Sequence, residues 1–179
     1  LLCRVSGQED ISVGSPIAGR GQPGTENLIG FFVNTLVLRT DLSGNPTFRD
    51  LLTRVREITL DAYSNQDLPF EKLVEELKPE RNPNRNPFFD VLINFINTPT
   101  AKMELTGLRV STVEMVPPES KFALTLYIEE ISDKLHLCLV YRQSLFSRER
   151  MSHFLQQFHS LLEQIVAAPG KNIRTYSLV

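Results

Sequence analysis

The sequence predicts an α/β fold in which helices pack on a mixed or largely antiparallel sheet. Three observations carry that expectation. Apolar residues recur at helical spacing in three windows, 48–62, 70–77 and 151–166. β-rich segments fill much of the second half, and two more lie within the first 41 residues. Gly/Pro-rich breaks separate the two kinds of segment, and the mix reads as helices packed on a sheet.

Taken in order, LLCRVSGQED reads as a helix end running into a loop. It has no positive start followed by an apolar run, so it is not expected to be a signal peptide. Asp10 to Val13 alternates like a short strand, and Gly14 and Pro16 are expected to break it. Residues 19–27 form a Gly/Pro/polar loop. Phe32 to Asp41 is a strand, ended by Ser43-Gly44-Asn45-Pro46. Asn45 is the expected N-cap of the next helix, with Pro46 at its first position. Phe48, Leu51, Leu52, Val55, Ile58 and Ala62 give that helix one apolar face. Asp67 is expected to cap a shorter helix with Pro69 in its first turn and Phe70, Leu73, Val74 and Leu77 on its buried side. KPERNPNRNP (78–87) is a loop. Asp90 to Asn97, Leu108 to Val116, Ala123 to Glu130 and Lys134 to Tyr141 read as strands, the last two joined in a hairpin through Ile131-Ser132-Asp133. Ser147 caps the clearest helix, whose apolar positions run from Met151 to Val166, and Pro169-Gly170 stops it.

The 179 residues suit one domain or one lobe of a larger one. A formal net charge of −2 argues against nucleic acid as the main partner, because phosphate binding needs a concentrated basic face. The basic positions Lys78, Arg81 and Arg85 are interspersed with Asn and Pro and lack an aromatic stacking platform. No run approaches the roughly 18 apolar residues of a membrane helix. Cys3 and Cys138 each sit on an apolar stretch and are expected to be buried free thiols of a cytoplasmic protein, against the alternatives of a disulfide or a nucleophile.

Chemical motifs fail one at a time. Gly19, Gly21 and Gly24 satisfy G-x-G-x-x-G, but Pro23 removes a backbone donor and another strand follows too soon for a crossover helix. GSPIAG is not a nucleophile elbow, because proline follows the serine and the spacing is wrong. His153 and His159 are six apart on a helix and face different ways, so no metal site is expected. His136 alternates with leucines on a strand, facing solvent or half-buried. Glu75-Glu76 and Glu129-Glu130 are neighbours that point apart, and read as solvated faces. No catalytic constellation is present.

Three stretches, IGFFVNTLVLR (29–39), SNQDLPFEKLVEEL (64–77) and RNPNRNPFFDVLINF (81–95), resemble the three late motifs of condensation domains from nonribosomal peptide synthetases. GQEDISVGSPIAGR (7–20) resembles the segment upstream of them, and KFALTLYIEE, YRQSLF and the final helix resemble the closing hairpin and helix. The resemblance covers essentially all 179 residues, in order. It implies a two-layer sandwich similar to chloramphenicol acetyltransferase, and specifically the C-terminal lobe (1–179) of a two-lobed pseudodimer. The family's catalytic motif of two histidines and an Asp-Gly pair belongs to the other lobe. This chain has no adjacent histidines and hence no catalytic residue of its own.

The resemblance further places Asn34 and Thr35 on the wall of the tunnel between lobes. There a neutral amide would position a thioester carbonyl or the attacking amine; the plainer reading is that Asn34 satisfies neighbouring backbone groups. The second motif has Asn65 where the family's commonest form has histidine, so a titrating role is not expected there. Gln66 and Asp67 are then loop-locking and helix-capping groups. Arg85 and Asn86 are expected to tie their loop to the body of the lobe, the alternative being contact with a carrier protein. IGFFVNTL favours an amide-forming member over an epimerase. No Gly-Gly-x-Ser segment is present to carry a prosthetic group, so 4′-phosphopantetheine would arrive on partner carrier proteins. Implied partners are the N-terminal lobe, donor and acceptor peptidyl carrier domains and a neighbouring adenylation domain, with no nucleic acid and no membrane. Two rivals stay open: a non-catalytic module that recruits carriers or another enzyme, and an ester-forming or cyclising relative. An isolated lobe would expose the face its mate covers, and is expected to self-associate or depend on the other half.

Overall fold

The computed structural model of the chain describes residues 1–25, 27–80, 85–96, 107–108, 110 and 120–178. Five strands, β1 (Asp10–Ile17), β2 (Asn34–Asp41), β3 (Val91–Ile96), β4 (Leu124–Ile131) and β5 (Lys134–Tyr141), form one mixed sheet in the order β2-β1-β3-β4-β5. β1–β2 and β4–β5 are antiparallel, while β1–β3 and β3–β4 are parallel. Of the expected strand Leu108 to Val116, residues 109 and 111–116 lie outside the described residues, and Leu108 and Val110 belong to no strand.

Helix α1 (Leu2–Ser6) ends on Gly7 in the left-handed region (φ 75°). α2 (Phe48–Ser64), α3 (Phe70–Leu77) and α4 (Arg148–Ala167) follow. One face of the sheet meets α1, α2 and α4 across an apolar layer in which Val13, Leu38, Ile93 and Leu126 face Leu51 and Phe158. On the opposite face, the strand registers place Gly14, Leu92 and Thr125 side by side in one row, and all three are buried. A Cβ at Gly14 would lie 2.3 Å from the ring of Phe89, so glycine there lets an aromatic ring lie directly on the strand. β1 does not stop at Gly14, because its antiparallel ladder with β2 continues to Ile17↔Asn34. Pro16, expected to break the strand, lies beyond the single β1–β3 bridge at Gly14–Leu92, where no ladder bond to β3 is lost.

Three further expectations need correction. Asn45 does not cap α2. Thr47 does, in a capping box whose hydroxyl accepts from the Asp50 N–H while Asp50 accepts from the Thr47 N–H. Asn45 is itself left-handed (φ 48°), and its side chain instead accepts from the Arg174 N–H of the C-terminal segment. Asp67 does not cap α3, whose N-cap position is Pro69 with no capping side chain from its own segment. Cys138 is exposed; only Cys3 is buried, and both thiols are free. The β4–β5 turn agrees with expectation: Ser132 and Asp133 both have positive φ (51° and 61°), the backbone of a type I′ hairpin. Ser147 accepts from the Arg150 N–H and starts α4.

Burial is shallow for helices of this length. α2 and α3 contain no buried residue, and α4 only Met151. Tyr176, at 3 % exposed, is the least exposed of the described core hydrophobics. No described helix is long and apolar enough to cross a membrane.

Candidate scaffold site

The loop from β1 to β2 ends at Asn34, the first residue of β2 and the one paired with Ile17. The Asn34 amide is filled by backbone. Its Nδ2 donates to the carbonyls of Gln66 (2.9 Å) and Leu68 (2.8 Å). Its Oδ1 accepts from the N–H of Thr35 (2.8 Å) and of Phe70 (3.0 Å). Two donors and two lone pairs are the whole capacity of a neutral amide. Phe70 is the first residue of α3, so Asn34 supplies from 36 residues away the cap that its own segment lacks. The Gln66 contribution is its carbonyl, and Thr35 enters through its N–H.

Phe70 carries the network further. Its ring meets Phe88 edge-on with centroids 5.9 Å apart, and Phe89 at the same distance. Phe89 in turn lies 5.3 Å from Phe122 and over Gly14. All three sequence motifs thus meet in one unit. An amide from the first holds the loop and helix start of the second, and an aromatic ring of that helix packs on two rings of the third. Pairs of this geometry contribute about 0.5–1.5 kcal/mol beyond their buried area.

Arg85 and Asn86 are placed elsewhere. Both line a groove that runs from Phe88 and Phe89 to Asp10 and Ser12, at the start of β1. That end is roughly 23 Å along the strand from Ile17 and Asn34, at 3.3 Å per residue. Arg85 pairs with Asp90 through Nε (3.0 Å) and Nη2, and the carboxylate raises the guanidinium pKa above its ordinary value. Asn86 Oδ1 is buried with no hydrogen-bond partner among the described residues. Asp67 is exposed. Among the described residues no group of three His, Cys, Asp or Glu could hold a metal ion. His136, His153 and His159 are exposed and remote from Asn34 in the fold's order, on β5 and α4. Sequence reasoning missed the Phe70–Phe88–Phe89 contact and the capping of α3 by Asn34. Its only sequence signal is the absence of a good N-cap residue at Pro69.

Fold and network together define an α/β domain whose motif residues build a rigid scaffold. The chain belongs to the condensation-domain family, whose model matches residues 1–179. One of the linear gramicidin synthase proteins of Brevibacillus parabrevis is 50% identical over 181 residues, covering 100% of this chain and 4% of the synthase protein. Bacitracin synthase 1 of Bacillus licheniformis is 46% identical over 169 residues, covering 94% of this chain and 3% of that protein. The chain therefore spans a few per cent of the length of these relatives. The X-domain from teicoplanin biosynthesis superposes with a TM-score of 0.90 at 26% identity, over 99% of this chain and 41% of that one. The same X-domain has been solved in complex with OxyB. A four-domain nonribosomal peptide synthetase bound to AMP and glycine gives a TM-score of 0.91 over 99% of this chain and 15% of that one, a likeness of fold at 22% identity.

Proposed function

We propose that this chain is the C-terminal lobe of a condensation domain that joins a carrier-tethered acyl or peptidyl donor to a carrier-tethered aminoacyl acceptor, in the cytoplasm. The observation that carries this reading is the convergence of all three motifs on the Asn34–Phe70–Phe89 unit, in a chain half identical to a gramicidin synthase protein over its full length. In the reaction the acceptor amine attacks the donor thioester carbonyl. A C–N bond forms, the C–S bond breaks, and the thiol leaves with the proton lost by the amine. The arms that carry both thioesters, 4′-phosphopantetheine on donor and acceptor peptidyl carrier domains, enter as part of the substrates.

This lobe supplies position and no proton. On the family resemblance the base belongs to the N-terminal lobe, and this chain has no adjacent histidines to match that motif. Asn34 acts through the backbone it holds: it fixes the 66–70 segment and thereby one wall of the tunnel, with Thr35 beside it. Gln66 and Asp67 shape that wall, and Arg85 with Asn86 secures the far end. A neighbouring adenylation domain completes the module.

A second reading has one observation in its favour: the X-domain, similar over 99% of this chain, is known in a complex with OxyB. In that reading the lobe recruits another enzyme and makes no bond. The deciding experiment is amide formation between two loaded carrier proteins, read by mass spectrometry, with this chain alone and with a histidine-bearing N-terminal lobe added. Product only in the second case supports the condensation reading. No product in either, with retained binding of a partner enzyme, supports recruitment.

A further inference from the structure

The sheet face opposite α1, α2 and α4 changes character along its strands. At the Gly14–Leu92–Thr125 row it is buried and closed, with the Phe89 ring on Gly14 and Phe122 beside that ring. Two residues further along each strand, the registers set Thr35 opposite Pro16, Asn94 opposite Tyr127, and Tyr127 opposite Cys138. Alternation along a strand puts these five on the same face as the buried row. Cys138 is exposed, while Thr35, Pro16, Asn94 and Tyr127 are half-buried. Yet the hydroxyls of Thr35 and Tyr127 and the side-chain amide of Asn94 make no hydrogen bond to any described residue.

Packing alone does not account for this row. Polar groups without partners are costly once water leaves them, and a face meant only for packing would carry apolar side chains there, as the neighbouring row does with Val37 and Leu92. All three groups are neutral, and each both donates and accepts. Peptide amides match them, because they also do both. A free ammonium would call for a carboxylate, and the row holds none; Glu129 lies in the next row out, opposite His136. Neighbouring strands lie about 4.8 Å apart, so the row from Thr35 to Cys138 measures roughly 19 Å across the five strands. One residue of an extended chain spans about 3.3 Å. The row therefore suits a peptide of several residues and is much longer than a single aminoacyl group. At one end it joins the motif unit, because Thr35 follows Asn34 on β2 and its N–H is held by the Asn34 side chain.

We propose that Asn94 and Tyr127 are specificity-determining residues that hydrogen-bond the amides of a peptidyl donor lying across this face, so that the domain selects a peptidyl donor over a plain acyl one. The inference rests on the condensation reading given above and names its donor class. The test uses the intact condensation domain of the full polypeptide. A donor carrier is loaded either with trialanyl or with a straight-chain acyl group of equal length, the acceptor carrier with glycyl, and amide formation is read by mass spectrometry. Trialanyl is expected to react faster, and Tyr127→Phe should lower the trialanyl-to-acyl ratio of kcat/KM about fivefold. Asn94→Leu should lower it by a similar factor. Hydrogen exchange of α4 reports whether each variant is folded; if Asn94→Leu is not, Tyr127→Phe, which keeps the ring, decides. An unchanged ratio overturns the proposal, and an equal loss with both donors marks a structural role and overturns it too. So does a loss that follows the acceptor when alanyl replaces glycyl. A wild-type domain that makes no amide with either donor sinks the condensation reading, and the face is then read by binding of trialanyl-pantetheine against its acyl counterpart. A preference for trialanyl that Tyr127→Phe removes supports the contact, and equal binding of the two refutes it.

Discussion

Replacing Asn34 by alanine removes four hydrogen bonds at once. At about 0.5–1.5 kcal/mol net for each, the loss spans roughly 2–6 kcal/mol. The carbonyls of Gln66 and Leu68 lie on a loop that solvent reaches and would rehydrate, whereas the Phe70 N–H loses its cap, a change that alone costs about 1 kcal/mol. The total should fall near 2–3 kcal/mol, and it should be local. Hydrogen exchange in the intact domain should therefore accelerate roughly 30- to 150-fold across α3 and residues 65–69, with β4 and β5 unchanged. Asn34→Asp separates the two ends of the amide. A carboxylate still accepts from Thr35 and Phe70 and suits a helix N-terminus, but it sets negative charge against the carbonyls of Gln66 and Leu68. Exchange should rise at 65–69 and stay slow in α3. If Asn34→Ala leaves α3 exchange within about twofold of wild type, the capping argument is wrong. If it abolishes amide formation with α3 exchange unmoved, the amide acts on the substrate and not through the loop.

Gly14→Ala should cost about 1–3 kcal/mol by overpacking against the Phe89 ring, read as a lower urea midpoint; Phe89→Leu in the same chain should recover part of it. Lys78 ends α3 with φ 43°, so Lys78→Gly should stabilise by up to about 1 kcal/mol, measured in the same way. Three carboxylates sit below their ordinary pKa: Asp10 through its bonds with Arg39, Asp41 through the N–H and hydroxyl of Ser43, and Asp50 through the hydroxyl and N–H of Thr47. Their folded values lie below the unfolded ones near 3.9, so their contribution is complete above about pH 4 and is lost as pH falls through the folded values. The thermal midpoint should hold from pH 6 to about 4.5 and then drop, with Asp50→Asn giving a shallower acid limb; a fall centred between pH 5 and 7 would contradict this.

Periodic and local signals were enough for much of the fold. β5 begins and ends where alternation places it, α4 starts at its expected serine, and Ser132-Asp133 turns the hairpin. The errors have a common cause in contacts between distant parts of the chain. Gly14 looked like a strand breaker because nothing nearby shows that Phe89, 75 residues on, fills the space of its missing side chain. Asn45 looked like a helix cap because its competing partner, the Arg174 N–H, lies 129 residues away. Cys138 alternates with leucines, yet its side of β5 is the one that also carries the exposed His136.

The site shows the same logic at work. Asp67 stood where a local cap belongs, and the helix takes its cap from Asn34 instead. A local cap would fix α3 only to its own loop. A cap delivered from the first residue of β2 fixes the helix to the sheet, and through Phe70 it fixes the third motif as well. Motif residues that read separately as a polar strand start, a loop and an aromatic pair are therefore one mechanical unit. A substitution in any of them should be felt in the other two, which is why Asn34 is better regarded as the joint of the scaffold than as a group reserved for substrate.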